Sequence, residues 1–562
     1  MKILTARPHR LLAACVNRLG EAMARGEGCM FLVPPQYTLQ AELEIMERLH
    51  VSGSFLIDVL SPKRLQSRVF ELAGMPKRTL FDERGKCMVL SSIIEAQKDE
   101  LSVYRGAAQN GSSGFTARMS NMIASLKRSG LSAADVARSA ESMDTESPAR
   151  AKLGDIARIY AAYEQRMAGE LADAEDISRE MCARFEASGV FKGQNVFVYG
   201  FDMITPTFAA ELLSIAPLCR TLTLAIETDA NAAADGRLFA PVNFSLQRLE
   251  RLAKERGIAV ERETLDAELD APWDIRLMEK RLYALGTAPC MDEPTAIELL
   301  AASGKRQEVH LAAARIRRLA AMGEDVSQMA VVYPKQSGYG ALLQNILPMY
   351  GLATYVAEKR KAGAHPLSRF ILSALAAISA GWRLSDILEC AQSGFLGLTQ
   401  EALDRFCAYC EGADVRGEAM RKPFRYPKGV TEEALGALEE SRKQVMEPLL
   451  ALQRGLQAAR TADDTIHAIL TLLESVHAYE TLEDMRDELN AADLAAEAQD
   501  CAQVWNAMMT TLDQLHTLLG GQAVPAKIVL ELLQNGLSAL ELAALPPADG
   551  AIICGEIGNV RT

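Results

Sequence analysis

Residues 195–208 read NVFVYGFDMITPTF, an apolar run that leads through a short polar link into Thr205 and Pro206. The run has the composition of a buried parallel-type strand, and Thr-Pro suits a helix start because proline there gives up an N–H that would stay unbonded. In α/β proteins that hydrolyse nucleoside triphosphates, such a strand ends in two adjacent acids. One holds the water shell of Mg²⁺ and its neighbour polarises the attacking water. Here those positions are Tyr199 and Gly200, and neither can ligate magnesium or take a proton. Asp202 is the carboxylate that remains nearby.

The other half of a nucleotide site would follow the first strand, where backbone N–H groups of a glycine-rich loop and a Lys-Ser/Thr pair cradle phosphates. The chain opens MKILTARPHRLLAACVNRLG. MKILT reads as a short buried strand and Arg10 onward as an amphipathic helix. The link Ala6, Arg7, Pro8, His9 has no glycine or lysine and is too short for a phosphate loop. An ordinary strand-to-helix turn is the favoured reading.

Working outward, CMFLVPPQ at 29–36, SGSFLIDVLS at 52–61 and TLTLAIE at 221–227 are further apolar runs closed by turn residues, and join the first two strands in one α/β lobe. Between 82 and 189 the pattern turns to amphipathic helices, which predicts an insertion whose ends lie close in space. A second lobe of similar design begins after the acidic stretch at 287–295, with strands expected at AIELLAAS (296–303), MAVVYP and LATYVAE and a helix from Lys305 to Met322. Residues 365–545 are again helical. GAIICGEI then reads as a returning strand, after which the second lobe is expected to be incomplete. The expected division is 1–81 and 190–290 for the first lobe with 82–189 inserted, and 291–364 and 546–562 for the second with 365–545 inserted.

With 562 residues, of which 49% are hydrophobic, the chain has material for about three or four domains. Neither an apolar stretch of membrane-spanning length nor a secretory leader is visible, which predicts a cytoplasmic protein. Eleven cysteines without regular spacing point to reduced thiols, and the one Cys-x-x-Cys, Cys407 and Cys410, lacks the second pair that a metal site would need. The net charge of −13 argues against a nucleic-acid coat over a broad surface but leaves room for a local groove.

Six strings narrow the plan: FLVPPQYTLQAELE, VLSPKRLQSRVFE, SGFTARMSNMIASLKRSGLSAADV, VFVYGFDMITPTF, ASGKRQEVHLAAARIRRL, and HPLSRFILSAL followed by GWR. In this order they resemble the AddB/RexB subunits of bacterial helicase-nucleases. The resemblance implies an α/β fold of two RecA-like lobes of the UvrD helicase type, each carrying a large helical insertion. It makes residues 195–208 a degenerate Walker B segment. It also implies a heterodimer with an AddA-type helicase-nuclease subunit that processes double-strand DNA ends for recombinational repair, with this subunit guiding the 3′-ended single strand. Relatives carry a Mg²⁺-dependent nuclease domain and an iron–sulfur cluster in segments expected beyond residue 562. No catalytic residue, metal ligand or cofactor is thereby assigned to this chain.

The resemblance places candidate DNA contacts at the carboxyl ends of the first lobe's strands. Gln36 and Thr38 either contact the strand or cap the next helix. Arg64 is the leading cationic contact. Pro62 and Ser67 stand where relatives often carry aromatic residues, and Phe201 offers a stacking face or a core residue. Arg421, Lys422, Phe424, Arg425, Tyr426 and Lys428 interleave basic and aromatic side chains, as either a single-strand groove or a solvated loop with two anchoring aromatics. Lys359, Arg360 and Lys361 read as a charged turn, and Glu308 and His310 as surface residues. The competing readings are an active ATP-dependent DNA helicase and a noncatalytic protein-interaction scaffold.

Overall fold

The computed structural model describes every residue except 52, 54, 110–112, 170, 230–237, 284–288, 336, 358–359, 416, 426–429, 493, 540, 543–549 and 559–562, with the side chains of 36, 109, 113, 538 and 539 also left aside. Six strands, β1 (Lys2–Ala6), β2 (Cys29–Leu32), β3 (Ile57–Leu60), β4 (Asn195–Val198), β5 (Thr221–Glu227) and β6 (Glu261–Thr264), form one sheet in the order β3-β2-β4-β5-β1-β6. Every pairing in it is parallel. Successive side chains of β2 serve opposite faces: Met30 and Leu32 join the core under helices Pro62–Ala73, Ala174–Ser188 and Pro206–Ile215, whereas Cys29 and Phe31 join that under Leu11–Ala24 and Thr38–Leu49. Covering both faces is what makes the central strands mostly apolar.

Strand β6, with the sequence ERET, was not legible as a strand. It is an edge strand, where charge is tolerated: Glu261 pairs with Lys2 at 3.5 Å and Glu263 with Arg18 at 2.7 Å.

A second parallel sheet has three strands, β7 (Ala330–Tyr333), β8 (Thr354–Val356) and β9 (Ile552–Glu556), in the order β8-β9-β7. Val309 and Ala313 of helix Lys305–Ala321 and Leu343 and Ile346 of helix Tyr339–Ile346 pack with Ile552 and Cys554. The expected strand at 296–303 does not form. Among the described residues it pairs with no strand, and Leu299 is 96% exposed. The backbone N–H groups of Thr295 and Ala296 instead donate to the Asp274 carboxylate at 2.7 and 2.6 Å, and Glu298 pairs with Arg315, so its polar bonds are made outside a ladder.

Both helical segments leave and re-enter through short paired necks. Thr79 and Leu80 run parallel to Leu171 and Ala172, bringing the first segment's ends together; Arg360 and Lys361 run antiparallel to Leu542 and Glu541 at the second. The helices between these necks share a single hydrophobic core, from Met88 and Tyr160 in the first to Phe370, Leu449 and Leu533 in the second. Among the described residues no helix is long and apolar enough to cross a membrane.

Candidate functional site

Strands β1, β2, β4 and β5 deliver their carboxyl ends to one cleft, a cavity of about 450 Å³ bordered by His9, Tyr37, Glu44, Arg48, Tyr199, Asp202 and Glu227. Gly558, just beyond β9, also borders it, so the cleft lies between the two sheets. In nucleotide-binding α/β proteins this is where phosphates meet backbone N–H groups.

Here the turn after β1 is occupied by protein carboxylates. Arg10 makes a two-bond pair with Glu279, Nη1 to Oε1 at 2.7 Å and Nη2 to Oε2 at 2.9 Å, and its Nε donates to the Ala267 carbonyl. Arg7 pairs with Asp229 at 2.5 Å and donates to the Glu279 carbonyl. The backbone N–H of His9, whose φ is +67°, points to Glu227 Oε1 at 3.4 Å. Hydrogen bonding to Arg10 holds the Glu279 carboxyl below the usual carboxylate range. The turn is thus closed by fixed side-chain charges rather than left as an open nest of N–H donors.

At the end of β4, Tyr199 is buried in an aromatic cluster, with ring centroids 6.2 Å from Phe31 and 5.8 Å from Tyr37. Gly200 follows with φ +85°, a conformation that a Glu or Asp adopts only under strain. Side chain and backbone therefore both oppose a metal-binding acid pair here. The residues lining the cleft comprise three carboxylates, Glu44, Asp202 and Glu227, against the single guanidinium of Arg48. That balance repels a triphosphate. The residues present thus do not fit a magnesium-nucleotide, and among the described residues no group of three or more His, Cys, Asp and Glu side chains is arranged to hold a metal ion.

The candidate DNA contacts fall in two regions. Thr38 and Arg64 both follow carboxyl ends of the first sheet. The Thr38 hydroxyl donates to the Pro35 carbonyl at 3.1 Å, closing its own turn, while Tyr37 stands at the N-cap of helix Thr38–Leu49. The Arg64 side chain is 63% exposed, with Glu42 at 3.9 Å its ion-pair partner. Gln36 opens the same turn, its side chain outside the described set. Phe201 is half-buried and packs on Phe208 with centroids 4.7 Å apart against the first sheet's core.

The second region lies in the helical body. Arg421 pairs with Glu418 at 2.7 Å, and Arg425 and Lys422 are exposed. Phe424 is buried against Tyr409 and Phe406 with the Arg442 guanidinium over its ring, so it anchors the loop; Tyr426 and Lys428 lie outside the described residues. In the basic run before His365, Lys359 is likewise outside the described set, and Arg360 is committed to Glu497 and Asp500, each at 3.1 Å. Glu308 bonds the Tyr339 hydroxyl, and His310 lies 3.1 Å from that of Tyr350. Sequence reading missed Asp229, Glu279 and Glu227 because their partners, Arg7, Arg10 and the His9 N–H, lie on other elements, which local spacing does not reveal; it also missed Glu44, which accepts from Gln40 of its own helix and from Tyr37.

Residues 9–276 match the family model described as ADDB, N-terminal. Over 97% of its length the chain is 27% identical to the B-type subunit of the ATP-dependent helicase/deoxyribonuclease of Moorella thermoacetica, covering 50% of that protein. It is 26% identical, with the same coverage, to the proteins of that name from Bacillus cereus and Bacillus thuringiensis. The chain spans about half the length of the curated relatives it matches. The chain thus matches the ADDB N-terminal family model over residues 9–276 and is similar along 97% of its own length to the B-type subunits of bacterial ATP-dependent helicase/deoxyribonucleases.

Proposed function

We propose that this chain is the helicase-like, ATPase-inactive portion of an AddB-type subunit, which with an AddA-type partner processes double-strand DNA ends for recombinational repair and guides the 3′-ended single strand. The two parallel sheets are read as RecA-like lobes, and the free thiols fit a cytoplasmic setting. One observation carries the inactive assignment: Tyr199 and Gly200 stand where magnesium's carboxylates belong, while Glu279 and Glu227 fill the turn that should receive phosphate. Thr38 and Arg64 form the first DNA contact region with Gln36, and Arg421 and Arg425 a second. No cofactor is assigned to this chain; the iron–sulfur cluster and the nuclease Mg²⁺ are assigned to a nuclease domain outside residues 1–562.

The test measures binding and turnover together. The purified chain, alone and with an AddA-type partner lacking its own ATPase residues, is mixed with 3′-tailed DNA, ATP and Mg²⁺. DNA binding without nucleotide hydrolysis is expected. Mg²⁺-dependent turnover would establish an active motor, and absence of DNA binding in both preparations would favour a scaffold.

A further inference from the structure

Helices Ala174–Ser188 and Pro206–Ile215 both cover one face of the six-stranded sheet, and with the end of helix Ser113–Arg128 they border an open cavity of about 510 Å³. It shares no lining residue with the cleft between the sheets. Its two long walls are stripes at helical spacing: Glu175, Ser178 and Cys182 on the first helix, Thr207, Glu211 and Ser214 on the second. Packed helices fill such stripes with large apolar side chains. Here short and polar side chains leave the space between the helices unfilled.

The cavity carries one uncompensated charge. Lys127 pairs with Asp173 at 2.5 Å and Asp176 at 3.1 Å, Arg179 with Asp176 at 2.5 Å, and Arg128 with Glu175 at 3.3 Å, so each cation of the lining already faces a carboxylate. Glu211 differs. Among the described residues its carboxylate accepts a hydrogen bond from the Ser178 hydroxyl and pairs with no cation. Burial pushes the Glu211 carboxyl above the usual carboxylate range, and the Ser178 hydrogen bond only partly opposes that. The neighbouring Cys182 thiol, pushed up to about 12 by burial and by the Glu211 charge, stays protonated and supplies no counter-charge.

From the cavity and its unpaired carboxylate we infer a binding site for a small organic cation: one ammonium or guanidinium group held by Glu211 and the free lone pair of Ser178 Oγ, on an apolar body that lies against Pro206, Phe208 and Cys182. A carboxylate removed from water without a partner is costly, and an entering cation relieves that cost. The volume suits a small molecule better than a single inserted side chain. A divalent metal fits poorly, because magnesium and calcium take several oxygen ligands and no group of three or more acidic, His or Cys side chains is arranged for one among the described residues. The site goes beyond the reading of the cleft and does not rest on it.

Calorimetric titration of the whole chain at pH 7 with phenethylammonium, and with phenethyl alcohol as its neutral counterpart, tests the site. The ammonium is expected to bind about tenfold more tightly than the alcohol, or better. Glu211→Gln, which keeps the side-chain size and a hydrogen bond with Ser178, is expected to bring the two ligands to equal affinity. Ala210→Trp occupies the cavity from the second helix while leaving Glu211 in place, and is expected to abolish binding of both. It also carries the test should Glu211→Gln fail to fold, which thermal unfolding of each variant establishes. No binding of the ammonium at millimolar concentration, equal affinity for the two ligands in the unaltered chain, a preference for the ammonium that persists in Glu211→Gln, or undiminished binding by Ala210→Trp would overturn the proposal.

Discussion

Arg10 and Glu279, 269 residues apart in the chain, form a two-bond ion pair at the turn where a nucleotide-binding protein would receive a phosphate. The Arg10 side chain is 6% exposed and that of Glu279 16%, so removing either partner strands a largely buried charge. Glu279→Gln is expected to lower the unfolding free energy by about 3 kcal/mol, measured by urea denaturation at pH 7.

The same pair has a pH signature. Because Glu279 titrates below its unfolded value, with Arg10 as first cause, the pair's contribution is present above the unfolded value of about 4.3 and is lost as pH falls through the lower folded value. The stability gap between the protein and Glu279→Gln is therefore expected to be full at pH 7 and to narrow below about pH 4. A gap that widened toward low pH would contradict the assigned charge state.

Gly200 has φ +85° at the end of β4. Gly200→Ala is expected to destabilise the fold by about 1–2 kcal/mol, and Tyr199→Asp with Gly200→Glu to add further loss without producing ATP turnover. A stable, ATP-hydrolysing double variant would show that the two acids alone were missing.

Much of this organisation was legible in the sequence, for physical reasons that particular elements display. The runs at 29–32, 195–198 and 221–227 are largely buried on both faces and so are mostly apolar, which makes them readable as parallel strands. Strand β6 escaped because an edge admits ERET, and 296–303 misled because an apolar composition does not supply a ladder partner. Tyr199 and Gly200 could be singled out by position, but that Tyr199 would pack against Phe31 and Tyr37, and that Arg7 and Arg10 would be held by Asp229 and Glu279, depends on contacts between distant elements.

Phe201 carries two readings, a stacking face and a core residue, that a pair of measurements separates. Its ring lies 4.7 Å from Phe208 against the first sheet's core. Phe201→Ala is expected to reduce stability by about 2 kcal/mol while changing single-strand affinity less than twofold, as read by denaturation and fluorescence anisotropy. A large affinity loss at unchanged stability would make it a base-stacking residue instead.

Arg64 carries the opposite expectation. Its exposed guanidinium lies at 3.9 Å from Glu42, a weak surface pairing. Arg64→Ala is expected to leave stability within about 0.5 kcal/mol, weaken single-strand binding, and reduce the salt slope by about 0.7. Unchanged affinity and slope would remove this residue from the DNA path.

The central claim, that the cleft between the sheets is closed to magnesium-nucleotide, is tested most directly by thermal unfolding of the chain against increasing ATP and Mg²⁺. A ligand held at a hundred times its dissociation constant would add about 2.7 kcal/mol to the folded state. The expected result is a melting temperature that does not respond to Mg²⁺-ATP at millimolar concentration. A saturable rise that disappears when Mg²⁺ is chelated would contradict it.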